Sequence, residues 1–545
     1  MDMKYCVAIM GSPQHPECEW SEENLAELWE LGFRSIQLNI AWGDRPGDEP
    51  LNLEDVLELQ EQEAKSRELA VHRREKIKER VRLCRQFGFR TILHFGAPYN
   101  GQEAYVGIPP RQCISDPGVV GRYRELLEEL GRQITGIDDI LVYTYDQDAW
   151  LCSEFTGCLR CRGVALHNRL PGFLDALCGK WRQISPEGIL WWEPWELSAG
   201  QVLKTVESLS GPNFGIMAHS NIGEVQKTRP SDLWLRNMAG LCGKKGIPLV
   251  VELFLAECSE ETQPLSRVPA PGLTYSQIKA VTELEGVVGI KEYYGLLPGT
   301  NDSCLGMVGV MLENPGAGKD TCLWRLAEPY GKKAGDVVLF WKSVEEGYLL
   351  YPWDVSWFAR EIGKADVDHG WGGAYIRGQQ CDTPSWDSTR HGIFMKTDNG
   401  PSHPWMLEDV GLRCMMAAEV LRDASSRAAC LAEEAEESRK VQFEEAAKSL
   451  EQFYRVCVSY ALHLRETNVA MLLREDLRCG RNLQESLVAE MGELLAADEE
   501  NQGYTGRVVN IASAWREDPV SWLHLYLLPV MEERLEKGAF TLTTR

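Results

Sequence analysis

Asp146 and Asp148 stand one residue apart, and three thiols follow at Cys152, Cys158 and Cys161. Further along, Glu252 and Glu292 each interrupt an otherwise apolar run, PLVVEL and VVGIKEY. A carboxylate inside such a run costs on the order of a few kcal/mol unless it is paired or opens onto a cleft. Paired carboxylates do proton chemistry. A like charge nearby keeps one protonated and able to donate, while the other stays ionised and able to accept or attack. The thiols, spaced C-x5-C-x2-C, are donors of the kind that close a zinc site.

The elements that must carry these groups are legible as a repeating pattern. YCVAIM (5–10) is a short apolar run ended by Gly-Ser-Pro, a strand and its loop. Residues 21–31 read as a helix with Ser21 at its N-cap and Asn24 in the Glu/Gln position, a partial capping box, and Gly32-Phe33 ends it. Strand two is expected over 35–42, a helix over 74–86 after a long polar insertion, and strand three over 90–95. Asp116-Pro117 begins a further helix. Strands four to eight fall at 139–145, 189–192, 214–218, 248–253 and 287–293, with Gly188, Gly246 and Gly286 placed just before three of them. Eight strand–helix units in about 300 residues predict an α/β fold, a TIM (β/α)8 barrel over 1–320.

A doubly wound sheet is the competing architecture, but no Gly-rich dinucleotide loop follows strand one. NPGAGKD (314–320) fails as a phosphate loop, because Glu313 stands where the first Gly belongs and Asp320 replaces Ser/Thr. Beyond residue 320 helical periodicity dominates, at 336–345, 405–423 and 425–465, the last as one long helix or a hairpin. A mainly helical C-terminal domain is therefore expected over 321–545, interrupted by a Trp- and Gly-rich irregular segment at 351–404.

In such a barrel reactive groups gather at the C-terminal strand ends. Strand two supplies Asn39, Trp42 and Asp44; strand three His94; strand four Asp146 and Asp148; strand five Glu193 and Glu196. Strand six supplies His219 and Asn221, strand seven Glu252, and strand eight Lys291, Glu292, Tyr293 and Tyr294. Carboxylates among aromatics suit glycoside hydrolysis of a small glycoside or oligosaccharide. Asp148 is expected as the acid, and Glu252 or Glu292 as base or nucleophile. Asn39, Trp42, His94, Asp146, Glu193, His219, Asn221, Tyr293 and Tyr294 are expected to contact the sugar.

Blander uses compete. Glu292 can pair with Lys291, the two aspartates can cap the next loop, and His219 can be a satisfied structural residue. Along strand four the inward set is either Tyr143 and Tyr145, or Thr144, Asp146 and Asp148. A second chemistry is a metal-dependent sugar isomerase or epimerase using Glu193, His219, Glu252 and Glu292. A third is a sugar-binding barrel without turnover. No cofactor is expected, apart from a candidate structural zinc on Cys152, Cys158 and Cys161 with His167 as fourth donor.

The formal net charge of −24 disfavours nucleic acid and anionic membrane as partners. The N-terminal MDMKYCVAIMGSP has no signal-peptide core, and no segment approaches the ~20 apolar residues of a membrane span. The 17 cysteines, scattered over apparent helices and strands, fit a reducing, cytoplasmic setting. The 351–404 segment is expected to reach over the barrel mouth or to close a partner's site in a homodimer.

The acidic strand-four segment with its small Cys cluster, YDQDAWLCSEFTGCLRC (145–161), resembles a feature of barrels related to α-glucuronidases and hexosaminidases. Some of those carry a helical domain after the barrel. The resemblance implies a (β/α)8-barrel glycoside hydrolase. Asp146-Gln147-Asp148 replaces the paired Asp-Glu of hexosaminidases, so it does not extend to substrate-assisted catalysis or N-acetylhexosamine specificity. The N-terminal β domain of those enzymes is not expected, since the first strand starts at Tyr5.

Overall fold

The computed structural model describes residues 3–13, 15, 18–40, 47–99, 112–144, 151–152, 154–155, 157–194, 197–210, 213–220, 225–263, 265–353, 404–503, 516 and 518–522. They form two compact units, residues 1–256 with 271–326, and residues 257–270 with 327–545.

The first unit is a closed, eight-stranded parallel barrel in sequential order. Its strands are β1 Tyr5–Ile9, β2 Ser35–Gln37, β3 Arg90–Gly96, β4 Asp139–Tyr143, β5 Leu190–Glu193, β6 Phe214–Ala218, β7 Leu249–Leu253 and β8 Val287–Glu292. β8 pairs with β1 and closes the ring. The helices are α1 Glu22–Glu30, α2 Ala64–Phe87, α3 Pro117–Gln133, α4 Leu170–Ile184, α5 Ala199–Ser208, α6 Leu233–Lys245, α7 Pro271–Thr282 and α8 Ser303–Glu313, followed by α9 Lys319–Ala327. This is the TIM barrel that the alternating pattern predicts.

Local signals explain most boundaries. Ser21 caps α1 by accepting the Asn24 backbone N–H at 3.2 Å, while the Asn24 side chain turns to the Glu19 carbonyl, so half the capping box forms. Asp116 caps α3 ahead of Pro117, accepting the Gly118 N–H at 3.0 Å. Gly88 ends α2 in the left-handed conformation at φ 82°. Two expectations differ. β2 stops at Gln37, well short of residue 42. α2 begins at Ala64, ten residues before the expected start, because Ala70 is the only buried residue in its first three turns and apolar periodicity is missing there.

Side chains alternate in and out along each strand. Tyr5, Val7, Ile92, Leu141, Trp191, Met217 and Val250 face inward and form one apolar layer. Trp191 meets Tyr5 edge-on at 5.0 Å and lies over Gly215, where a Cβ would come within 2.4 Å of its ring. Two residues further along the same strands, the inward positions become His94, Tyr143, Glu193, His219 and Glu252. The barrel interior thus turns from apolar to polar in one step of the pleat.

In the second unit, α10 Ala334–Leu350 precedes α11 Pro404–Glu434, α12 Glu437–Arg478 and α13 Glu485–Gly503. The 425–465 stretch is a hairpin, since the chain breaks at residues 435–436 and Ser425 Oγ on α11 donates to the Ala447 carbonyl on α12 at 2.9 Å. Residues 257–270, inserted between β7 and α7, belong to this unit. Arg267 pairs with Glu257 and Glu445, each at 3.0 Å, and the Tyr348 hydroxyl donates to Glu261. The 351–404 segment lies outside the described residues except at its two ends, 351–353 and 404. Among the described residues no helix is long and apolar enough to cross a membrane.

Gly215→Ala should overpack the apolar layer against Trp191 and lower stability by about 1–3 kcal/mol. Thermal unfolding reads this; an unchanged midpoint would mean that the indole moves aside freely.

Candidate active site

The polar layer is built around Glu252 on β7. Its registered partner across the sheet is Lys291 on β8, so the two side chains emerge next to each other inside the barrel. Lys291 Nζ donates to Glu252 Oε1 at 2.8 Å, and His219 Nδ1 lies 3.1 Å from Glu252 Oε2. Both members of the ion pair are fully buried. Burial pushes the Glu252 carboxyl upward, but Lys291 and then His219 outweigh it and hold it down at about 2. Glu252 is therefore an ionised carboxylate in a dry setting.

Glu193, the last residue of β5, is its counterpart. It pairs in register with Tyr143 and is buried. Burial, reinforced by the negative charge of Glu252, raises its carboxyl to about 8 against the opposing pull of Lys291 and His219. His94 Nε2 stands 2.9 Å from Glu193 Oε2. Burial first, and Lys291 second, hold His94 well below the usual histidine range, so the ring is neutral. A protonated carboxyl thus faces a neutral imidazole. Asn39 places that imidazole by binding the His94 backbone from both sides. Its Nδ2 donates to the His94 carbonyl at 2.9 Å, and its Oδ1 accepts the His94 N–H at 3.0 Å. The Tyr143 ring lies 5.0 Å from the imidazole.

Glu292 has another task. It follows Lys291 on β8 and so points to the other side of the sheet. Its Oε1 accepts the N–H groups of Tyr294 and Gly295 at 2.7 and 2.9 Å, and its Oε2 accepts that of Leu255 at 2.7 Å. Burial raises this carboxyl against those three amides and the Lys227 charge. Glu292 therefore ties the chain leaving β7 to the chain leaving β8. The ion pair that Lys291 makes is with Glu252 across the sheet, rather than with its sequence neighbour Glu292. Tyr293 packs edge-on against His219 and Phe254, both at 5.6 Å, and Tyr294 is buried beside it.

Asn39, His94, Glu193, His219, Glu252, Glu292, Tyr293 and Tyr294 all lie within two residues of the C-terminal end of their strands. Trp42, Asp44, Asp146, Asp148, Glu196 and Asn221 lie outside the described residues. Tyr143 belongs to the inward set, and Thr144, which accepts from Trp192 Nε1 at 3.1 Å, to the outward one. β4 ends at Tyr143. The isomerase set does not assemble as a ligand shell, because Lys291 holds one oxygen of Glu252 and backbone amides hold both oxygens of Glu292. Among the described residues the one group of His, Cys, Asp and Glu within ligating reach of one another is Cys113, Cys152, Cys158 and Cys161. His167 is not in it. The sequence pointed to Lys291 but not to its partner, and gave no sign of Cys113, which lies far along the chain from the other three thiols.

No family model matches the chain, and no curated protein matches it. Among solved structures it is similar to a GH138 enzyme targeting pectin rhamnogalacturonan II, with a TM-score of 0.58 and 9% identity over 92% of this chain and 61% of that one. The fold is shared with a glycoside hydrolase. The chain spans less than two thirds of the length of that enzyme, and at such identity the likeness is one of fold. It is also similar to a point mutant of the Thermobaculum terrenum O-GlcNAc hydrolase (TM-score 0.39, 13% identity, 99% and 95% of the two chains). A family 39 glycoside hydrolase from Bacteroides cellulosilyticus gives 0.34 and 11%, over 58% and 65%. Those two matches are too loose to add to the first.

Two stability effects follow. Lys291→Met strands a buried carboxylate and should cost about 3–5 kcal/mol, part of which Lys291→Met/Glu252→Gln should recover; equal unfolding midpoints for the two variants would contradict this. Glu193 stays protonated in the folded chain up to about 8 but ionises near 4.5 once unfolded, so unfolding releases a proton in that window. Its contribution to stability should fall as pH rises from 4.5 to 8. Glu193→Gln should flatten that slope in unfolding midpoints measured across pH.

Proposed function

We propose that this protein is a glycoside hydrolase acting on a small glycoside or oligosaccharide, with Glu252 and Glu193 as its carboxylate pair. The observation that carries this reading is the separation of the two carboxyls. Burial and the charge of Glu252 raise the Glu193 carboxyl to about 8, while Lys291, bonded to Glu252, leads in holding that carboxyl down at about 2 against burial. Such a split assigns roles. Glu252, ionised, attacks the anomeric carbon or takes a proton from the attacking water. Glu193, protonated, gives its proton to the departing glycosidic oxygen. Lys291 and His219 keep Glu252 ionised and aimed, and His94 lies against the Glu193 carboxyl. Asp148, in the chain after β4, is the competing acid. The fold shared with a GH138 enzyme supports the same class of reaction. The cysteine usage suits a cytoplasmic setting.

Activated and unactivated glycosides separate the roles. On a panel of aryl glycosides, Glu252→Gln should lose turnover with every leaving group. Glu193→Gln should lose about 10²–10⁴-fold with poor leaving groups and little with dinitrophenyl, which departs without a proton. The wild-type kcat/KM should fall as pH rises through about 8, where Glu193 loses its proton. That limb should vanish in Glu193→Gln with the dinitrophenyl substrate. If Asp148→Asn shows the leaving-group dependence and Glu193→Gln does not, the acid is Asp148. Full turnover in both Glu252→Gln and Glu193→Gln would refute the pair, and sugar affinity without any turnover would leave a binding barrel.

A further inference from the structure

Cys113 lies just ahead of α3, and Cys152, Cys158 and Cys161 follow β4. Their sulfurs all lie within 4.8 Å of one another. Cys113 Sγ is 3.2 Å from Cys161 Sγ and 3.7 Å from Cys158 Sγ. Four thiolates around zinc at about 2.3 Å stand about 3.8 Å apart along each edge of the tetrahedron. Four-iron clusters spread their cysteines around an inorganic core and need a wider set.

The chain around the sulfurs is shaped for an anionic centre. Residues 158–161 form a tight turn in which the Cys161 and Arg162 N–H groups return to the Cys158 carbonyl at 3.2 and 2.9 Å. The Arg160 and Cys161 backbone N–H groups also reach the Cys158 sulfur. Gly163, at φ 74°, lets the chain leave this turn. Arg169 is buried, and its guanidinium donates to Cys161 Sγ at 2.9 Å, the Cys152 carbonyl at 2.6 Å and the Val164 carbonyl at 2.9 Å. Among the described residues it meets no carboxylate. A buried guanidinium needs a negative partner, and neutral thiols do not supply one. Four thiolates on a divalent ion carry a net charge of −2 and do.

We propose a structural zinc site made by Cys113, Cys152, Cys158 and Cys161, with Arg169 offsetting part of its charge. Binding replaces four thiol protons with four Zn–S bonds, with no change of oxidation state. The site fastens the segment before α3 to the segment after β4. That second segment begins beyond Tyr143, a neighbour of His94, and carries Asp146 and Asp148 in sequence. The zinc would thus clamp the chain at one side of the barrel mouth. The alternatives are four thiols packed without metal, or two disulfides.

Elemental analysis of the full-length chain should find about one zinc per chain, falling below about a tenth in Cys113→Ser and unchanged in Cys430→Ser, whose cysteine is exposed and distant in sequence. Cobalt exchanged into the wild type should give the intense bands of a tetrahedral thiolate site, which needs no variant to fold. Mercurial titration should release the zinc as four thiols react. Several outcomes would overturn the proposal: no metal retained after zinc reconstitution, a mass showing disulfides among these four cysteines, or iron in place of zinc.

Discussion

The contact between Lys291 and Glu252 governs the chemistry of the barrel's polar layer. Either charge alone, fully buried, would cost about 3–5 kcal/mol, a large share of an ordinary fold's stability. Together, in register on neighbouring strands and with His219 on the second oxygen, they keep a carboxylate ionised away from water. That retained charge then acts on its surroundings. It helps burial to keep Glu193 protonated, while Lys291 helps burial to keep His94 neutral. The ion pair and burial together set the protonation of Glu252, Glu193 and His94.

This arrangement depends on the pleat. The inward positions one step lower are Ile92, Leu141, Trp191, Met217 and Val250, a packed layer that closes the barrel under the polar one. Trp191 fills the width of that layer because Gly215 opposite it has no side chain. On the other side of the sheet, Glu292 spends both oxygens on backbone amides from the chain beyond β7 and β8. Three glutamates near these strand ends thus do three jobs. The direction each one faces, and which donor it meets there, decides between them.

The cysteine group shows the same dependence on long-range placement. Cys152, Cys158 and Cys161 are close in sequence, but the fourth sulfur comes from 39 residues before the first of them. Parallel strands bring it there, because β3 and β4 are neighbours and the chain leaves both at the same end of the barrel.

Strand–helix alternation, caps and glycine stops are local physics, so the eight units and the barrel could be read from the chain alone. So could the positions worth suspecting, since Glu252, Glu292 and Lys291 break apolar strands at a cost that must be offset somewhere. The hairpin in the helical unit was half legible, because composition marks a helix but not where a chain of good helix formers turns back at 435–436. Partners were not legible. Whether Lys291 joins Glu292 or Glu252 depends on strand register and pleat, and only the closed sheet sets those. The opposite protonation of Glu193 and Glu252 likewise exists only once both are buried near each other and Lys291 is bonded to one of them. Sequence determines which residues carry charge into the barrel. Tertiary structure decides which of those charges meet, because electrostatic energy depends on separation in space rather than along the chain.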